Sequence, residues 1–233
     1  MTSLDVSKLL AIASRSEVTG VPWRSLLQFY ELPAELRGIR ALDVCSGMSD
    51  FAYRLRENGA EAHALDIAYH DLAAMRSRHR ANFDATSEDV FGAKRDSPQA
   101  QALYGSFVQG FEESLVVAPS IYIAASATAL PLRNNSMDLV TSFNGLFGAL
   151  DFDVEILVAA LSEVIRVVRP GGSIQLVPFQ EGPVLSESEK EIQREAVQAI
   201  AGGDGVSLNQ AVARDEPLLG GRVSRLTIRK LSS

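Results

Sequence analysis

From residue 39 to residue 177, short apolar runs of strand length alternate with stretches whose apolar residues recur at helical spacing. Few folds accept that pattern. Residues 39–44, 61–66, 121–125, 137–142 and 173–177 read as strands, each short, apolar and bounded by turn-forming residues. Between them, Phe51 and Leu55 lie on one face of a helix that Ser49 or Asp50 can cap and Gly59 can close, and Asp71 can cap a helix opening at Leu72. The clearest helix spans 154–168, with Ile156, Leu157, Ala160, Leu161, Val164, Ile165 and Val168 on one stripe. Strands separated by helices pair in parallel, because each crossover returns the chain to the same end of the sheet. Pro170-Gly171-Gly172 is read as a sharp turn into the fifth strand. Ser186 and Glu189 form a capping box for a helix through Ile200. Two further strands, 207–213 and 222–230, have no helix between them and predict an antiparallel hairpin. The expectation is a seven-stranded, mostly parallel Rossmann-like α/β sheet with an antiparallel C-terminal hairpin strand and helices on both faces.

Two regions fall outside the alternation. Residues 1–38 read as helical, with Leu4, Leu9, Leu10 and Ile12 in one segment and Trp23, Leu26, Leu27 and Tyr30 in a second opened by Pro22. They are expected to form a lid on a domain spanning 39–233. Residues 80–119 are too long for a simple connection and are read as a helical insertion, carrying Leu103, Phe107 and Phe111, that shapes a substrate pocket.

Composition narrows the function. A net charge of −7 gives no field that draws in nucleic acid, which is therefore an unlikely partner. The run Arg76-Ser-Arg-His-Arg80 is read as a solvated helix face rather than a phosphate site. The single cysteine, Cys45, allows no internal disulfide, and residues 1–10 do not read as a secretion signal, so a reducing, cytoplasmic setting is expected. No apolar run approaches membrane-spanning length, and His63, His70 and His79 show no metal-ligand spacing, so neither a membrane partner nor a metal is expected.

The chemistry concentrates in Ala41-Leu-Asp-Val-Cys-Ser-Gly-Met-Ser-Asp50. A strand ends, small residues turn, and a helix begins, so free N–H groups and the positive end of a helix face whatever binds there. The second strand ends in Asp66, nineteen residues after Gly47, where a carboxylate can accept both hydroxyls of a ribose. Alone, these features fit a dinucleotide or an adenosylmethionine.

Four stretches in order then resemble the class I S-adenosylmethionine-dependent methyltransferases, in particular small stand-alone bacterial ones with a helical insertion. Leu42-Asp-Val-Cys-Ser-Gly-Met-Ser49 is similar to their first motif and Ala64-Leu-Asp-Ile67 to their second-strand acid motif. Ala127-Thr-Ala-Leu-Pro-Leu132 with Asn135-Ser-Met-Asp-Leu-Val140, and Glu163-Val-Ile-Arg-Val-Val-Arg-Pro-Gly-Gly172, match the two later segments. The resemblance implies S-adenosylmethionine as cofactor and in-line methyl transfer to a small-molecule acceptor. It places Cys45, Ser46 and Gly47 around the methionine part, Asp43 near its ammonium, Asp66 on the ribose, Ile67 on the adenine face, and Ser126 and Ala127 at the adenine edge. Asn144 would sit near the sulfonium and the acceptor.

The first motif departs from the family's G-x-G-x-G: it reads Cys45-x-Gly47-x-Ser49, and a side chain at 45 is restricted if the backbone there needs positive φ. The alternative is therefore a non-catalytic or donor-binding-impaired relative that keeps the fold as a binding protein. A nicotinamide-dependent oxidoreductase would need G-x-G-x-x-G, but positions 45, 47 and 50 are Cys, Gly and Asp, and a Tyr-x-x-x-Lys pair is missing. The family has no universal catalytic residue, so Asn144, Phe147 and His70 are weak catalytic candidates, each with a bland counterpart in packing or plain exposure. Asp138 is read as structural, His63 as packed, and Cys45 as a thiol whose pKa a helix N-terminus could lower.

Overall fold

A computed structural model describes residues 26, 29–91, 96–147, 154–180, 186–201, 205–216 and 221–231. Most of the expected N-terminal lid, Trp23 included, lies outside the described residues, as do the side chains of Leu103 and Phe107.

The elements run β1 (Arg40–Val44), α1 (Phe51–Glu57), β2 (Glu61–Leu65), α2 (Leu72–Phe91), α3 (Pro98–Val117), β3 (Tyr122–Ile123), β4 (Met137–Phe143), α4 (Val154–Val167), β5 (Val168–Val177), α5 (Glu187–Ala201), β6 (Val206–Glu216) and β7 (Gly221–Lys230). A 3₁₀ turn, Ile67–His70, joins β2 to α2. The sheet order is β3-β2-β1-β4-β5-β7-β6. Strands β1 to β5 pair in parallel, and β7 runs antiparallel to both of its neighbours. The seven-stranded sheet and its reversed hairpin strand are those expected.

Strand periodicity sorts the core onto two faces. Leu42, Val44, Val140, Ile174 and Leu176 join α4 and α5 in one cluster. Ala41, Leu139, Phe143 and Val177 turn the other way and meet α1, Met75 of α2, Phe111 of α3, and the Leu26, Phe29 and Tyr30 segment. Successive strand residues point to opposite faces, so one β-segment feeds both layers. Tyr30 packs on Phe51 (ring centroids 5.1 Å apart) and Phe29 on Phe143 (5.1 Å). The same segment is tied to the sheet by polar bonds. Gln175 accepts from the Glu31 amide (2.7 Å) and donates to the Glu31 carbonyl (2.8 Å), while buried Arg225 donates to the Phe29 carbonyl (2.8 Å) and pairs with Glu31.

Caps follow the sequence. Asp71 Oδ1 accepts from the Ala74 amide (2.9 Å), Ser97 Oγ from Ala100 (3.1 Å) ahead of Pro98, and Ser186 and Glu189 close their reciprocal box (3.3 and 2.6 Å). At α1, Ser49 Oγ takes the Phe51 amide (3.1 Å), and Asp50 instead pairs with Arg54 (2.9 Å). A Cβ on Gly110 would fall 2.3 Å from Asp50 Oδ2, so only glycine lets α3 approach the start of α1 this closely.

Three expectations are corrected. Pro170-Gly171-Gly172 is not a turn preceding the strand: β5 starts at Val168 opposite Met137, and residues 169–172 bulge before pairing resumes at Leu139 and Ser173. The third strand has only two residues, since Pro119–Ile121 is a 3₁₀ turn. The Arg76–Arg80 run is not a solvated face. His79 is 4% exposed, and Arg76 and Arg80 reach Glu112 and Gln101 of α3, because α3 packs along that side of α2.

Candidate functional site

The carboxyl ends of β1, β2 and β4 deliver the candidate residues to one edge of the sheet, the edge at which parallel α/β sheets bind ligands. Leaving β1, the chain turns through Cys45 (φ 53°), Ser46 and Gly47 (φ 52°). The left-handed conformation that favours glycine is thus present at 45, where a cysteine stands. Gly145 shows why the loop after β4 matters to it: a Cβ there would lie 2.5 Å from Cys45 Cβ and 2.7 Å from its carbonyl oxygen. The two loops are in backbone contact, and Asn144, also at positive φ (53°), hangs from β5 through its amide on the Val177 carbonyl (2.6 Å).

Asp66 ends β2 and closes onto this turn. Its Oδ2 accepts from the Gly47 amide (3.0 Å) and its Oδ1 from Ala68 (2.7 Å). Each carboxylate oxygen can accept twice, so one acceptor position on each is left for a ligand. Burial pushes the Asp66 carboxyl up, against the pull of the two amides and the charge of Arg78. The structure therefore brings Asp43, Cys45, Ser46, Gly47 and Asp66 together, with Asn144 behind the Cys45–Gly145 contact. Ile67, half-buried, follows directly. Ser126 Oγ shares a hydrogen bond with Thr128 Oγ1 (2.8 Å), and Ala127 is buried; they follow β3, whose Ile123 carbonyl accepts from the Asp66 amide (3.1 Å).

Asp43 is 3% exposed and accepts from Thr141 Oγ1 (2.8 Å). Among the described residues no cation pairs with it. Burial, opposed by the Thr141 bond and reinforced by Asp66, raises its carboxyl to about 7. Beside it, burial and the Asp43 charge push the buried Tyr30 phenol well up, opposed by the Thr141 hydroxyl. The Cys45 thiol is corrected in the same sense: burial first, then Asp66 and Asp43, raise it well above its ordinary value.

The remaining candidates are placed as follows. His70 is exposed, with Nδ1 2.5 Å from the Ile67 carbonyl. Phe147 is buried against Phe179 (5.4 Å), and Gln193 holds its carbonyl (2.7 Å). Asp138 lies at the opposite end of β4, taking the Arg40 amide (2.7 Å) and pairing with Arg40 and Arg169. His63 is half-buried in β2. Glu163 and Arg166 together hold the 130–134 loop: Glu163 accepts the Leu130 amide (2.8 Å), and Arg166 donates to the carbonyls of Leu130 (3.0 Å) and Leu132 (2.9 Å). Their four-residue motif is a brace for the loop that carries Ala127. Among the described residues no group of three His, Cys, Asp or Glu could hold a metal, and no helix is long and apolar enough to cross a membrane.

Sequence reasoning missed Tyr69. Its hydroxyl sits 2.5 Å from Ser46 Oγ and donates to the Gly47 carbonyl (2.8 Å), locking the turn from the 3₁₀ segment. Its position three residues past Asp66 was visible, but the contact comes from the fold. Thr141 was missed likewise; it lies opposite Asp43 in the β1–β4 register.

A family model described as a methyltransferase domain matches residues 102–176. Two curated relatives are ubiquinone/menaquinone biosynthesis C-methyltransferases. The one from Methylobacterium nodulans is 28% identical over 67% of this chain and 48% of its own length; the one from Brucella canis is 25% identical over 76% and 54%. The chain thus spans about half the length of the curated relatives it matches. The crystal structure of the cyclase SpnF superposes with a TM-score of 0.53 at 14% identity, covering 90% of this chain and 81% of that one, and shares the fold. In sequence the chain is thus similar to a methyltransferase domain over residues 102–176 and to C-methyltransferases over about half of their length, and in sheet order it shares the fold of the cyclase.

Proposed function

We propose that this protein binds S-adenosylmethionine across the carboxyl ends of β1 and β2 and directs its methyl group to a small-molecule acceptor. The observation that carries the reading is the 3.0 Å bond from the Gly47 amide to Asp66, which joins an amino-acid cradle to a sugar-binding carboxylate. The donor's chemistry also fits what the site leaves unmet. Asp43 is a buried acid with no cationic partner among the described residues, and an ammonium supplies one. The two spare acceptor positions on Asp66 match two ribose hydroxyls. Ser46 and Gly47 border the methionine part, Ile67 the adenine face, and Ser126 and Ala127 its edge. Asn144 faces the acceptor side.

Bound adenosylmethionine supplies a methyl group already activated on a sulfonium. The chain's own residues orient the donor and acceptor and exclude water, which is where the rate gain lies in such a displacement. The insertion at 80–119 shapes the acceptor pocket; the acidic chain and lone thiol suit a small acceptor in the cytoplasm. Methyltransferase names among the relatives support the chemistry.

Titration calorimetry with adenosylmethionine and adenosylhomocysteine tests this reading: binding of both is expected, and binding of neither overturns it. A second reading, a donor-binding protein on this fold that does not transfer methyl, is favoured by Cys45 at φ 53°. The cyclase sharing the fold shows that the scaffold alone does not dictate methyl transfer. Donor binding without methyl consumption across an acceptor panel would select it.

A further inference from the structure

The Cys45–Gly47 turn is held from outside itself. The Ser46 amide donates to the Leu65 carbonyl (3.2 Å) and the Gly47 amide to Asp66 (3.0 Å). The Ser46 hydroxyl and the Gly47 carbonyl both meet one atom, the Tyr69 hydroxyl, at 2.5 and 2.8 Å. Chemistry fixes the direction of these two bonds. A carbonyl only accepts, so the single phenolic proton goes to Gly47, and Ser46 is left to donate to Tyr69. Burial, ahead of the Asp66 charge, holds the phenol protonated, well above its ordinary pKa. The ring is fixed in turn: it stacks on fully buried Phe111 of α3 (centroids 6.2 Å apart) and meets Tyr122 edge-on (5.3 Å). The turn has reason to need a clamp. Cys45 stands at φ 53°, where a side chain costs free energy, and backbone in that region persists only when its surroundings over-determine it.

We propose that Tyr69 is a positioning residue of the donor site: its hydroxyl holds the Ser46–Gly47 turn in a shape that Cys45, standing where glycine is favoured, does not hold unaided. The proposal rests on the adenosylmethionine reading above, in which that turn borders the donor's methionine part. It lets a first motif short of glycines keep its geometry, by moving the restraint from residue 45 to a side chain beyond β2. It also gives the insertion a share in donor binding, since α3 supplies the face on which the Tyr69 ring lies.

The test is a double-mutant cycle read by titration calorimetry with adenosylhomocysteine. The full chain is compared as wild type, Tyr69→Phe, Cys45→Gly and the two combined, with thermal melts to check that each is folded at the titration temperature. Phenylalanine keeps the ring and loses both bonds. In the wild-type background Tyr69→Phe weakens binding about fivefold to a hundredfold, the range for two hydrogen bonds. In the Cys45→Gly background the same change costs at least about threefold less, because glycine keeps the turn's angle without help. Unchanged affinity in Tyr69→Phe overturns the proposal. So does an equal loss in both backgrounds, which is the behaviour of a hydroxyl that only supports the fold. Loss of binding in Cys45→Gly alone overturns it too, since the angle at 45 would then not be what limits the turn. If Tyr69→Phe does not fold, Ser46→Ala takes its place. It removes one of the two bonds, a smaller loss that again shrinks beside Cys45→Gly is expected, and a loss independent of residue 45 is fatal. Wild type that binds no adenosylhomocysteine fails the donor reading itself, whereas wild type that binds with an additive cycle fails only the role of Tyr69.

Discussion

The two ends of the sheet treat their acids in opposite ways. At the amino end, Asp138 is saturated by the Arg40 amide and by the Arg40 and Arg169 side chains. At the carboxyl end, Asp43 is buried with one threonine hydroxyl and no cation beside it among the described residues, and Asp66 holds acceptor capacity in reserve. A folded chain seldom buries an acid without a counter-charge, so an acid in that state is the one a cationic ligand would complement. The contrast separates an acid engaged in holding the fold from acids left available for the donor proposed above.

The largest effect should come from Asp66→Ala, which is expected to weaken adenosylhomocysteine binding by about 1.5–3 kcal/mol, as for charge-assisted hydrogen bonds. Calorimetry reads it, and an unaltered affinity would break the ribose assignment. Asp138→Ala is the mirror experiment. It strands the Arg40 amide and should cost about 1–3 kcal/mol of folding stability in denaturant melts, with donor affinity preserved. Loss of donor affinity there would erase the distinction between the two edges.

Gly145→Ala probes the joint between the β1 and β4 loops. Its Cβ collides with Cys45 and with Ser142 Oγ (2.8 Å), so a penalty of about 1–3 kcal/mol is expected, felt in both stability and donor binding. Asp43 gives a pH signature. Its folded-state carboxyl is raised to about 7, so the contribution of Asp43 to folding is largest at low pH and is lost as pH rises through that value. Donor binding runs the other way. The ammonium needs the carboxylate, so affinity should rise by up to about tenfold per pH unit below 7 and level off above it. A flat profile from pH 6 to 8 in calorimetry, or one that survives Asp43→Asn, would remove Asp43 from the ammonium site. The smallest effect belongs to Cys45→Gly. Relief of a left-handed cysteine is worth about 1 kcal/mol and is partly offset by the freer unfolded chain. Donor affinity is expected to hold or improve slightly, and a large loss would show that the thiol itself contacts the ligand.

Much of this site was legible because it is local. Strand, small-residue turn and helix are written between Ala41 and Asp50, and the acid ending β2 sits at a fixed remove, so Asp43, Ser46, Gly47 and Asp66 could be placed without coordinates. The demand for positive φ at 45 was foreseeable from the family's glycine, and the backbone confirms it. The capping box at Ser186 and the reversed final hairpin were likewise encoded by near neighbours. What escaped was set by distant chain meeting distant chain. Tyr69 finds Ser46 across 23 positions, and Thr141 meets Asp43 across 98. The arginine run looked solvated because nothing in its own sequence says that α3 will lie against it. The Pro170-Gly-Gly segment reads as a turn by residue type, yet the pairing of β4 with Val168 draws it into a bulge of the strand.

The bond from Arg225 to the Phe29 carbonyl spans 196 positions and ties the segment ahead of β1 to β7. A ribosome delivering this protein makes the Phe29–Glu31 stretch early, but its polar anchor emerges only when β7 does. Until then the aromatic pair Phe29 and Tyr30 must wait beside an unfinished sheet. The joint between that stretch and the sheet is thereby completed only once β7 has been made, and a message truncated before β7 yields a chain in which it is never fastened.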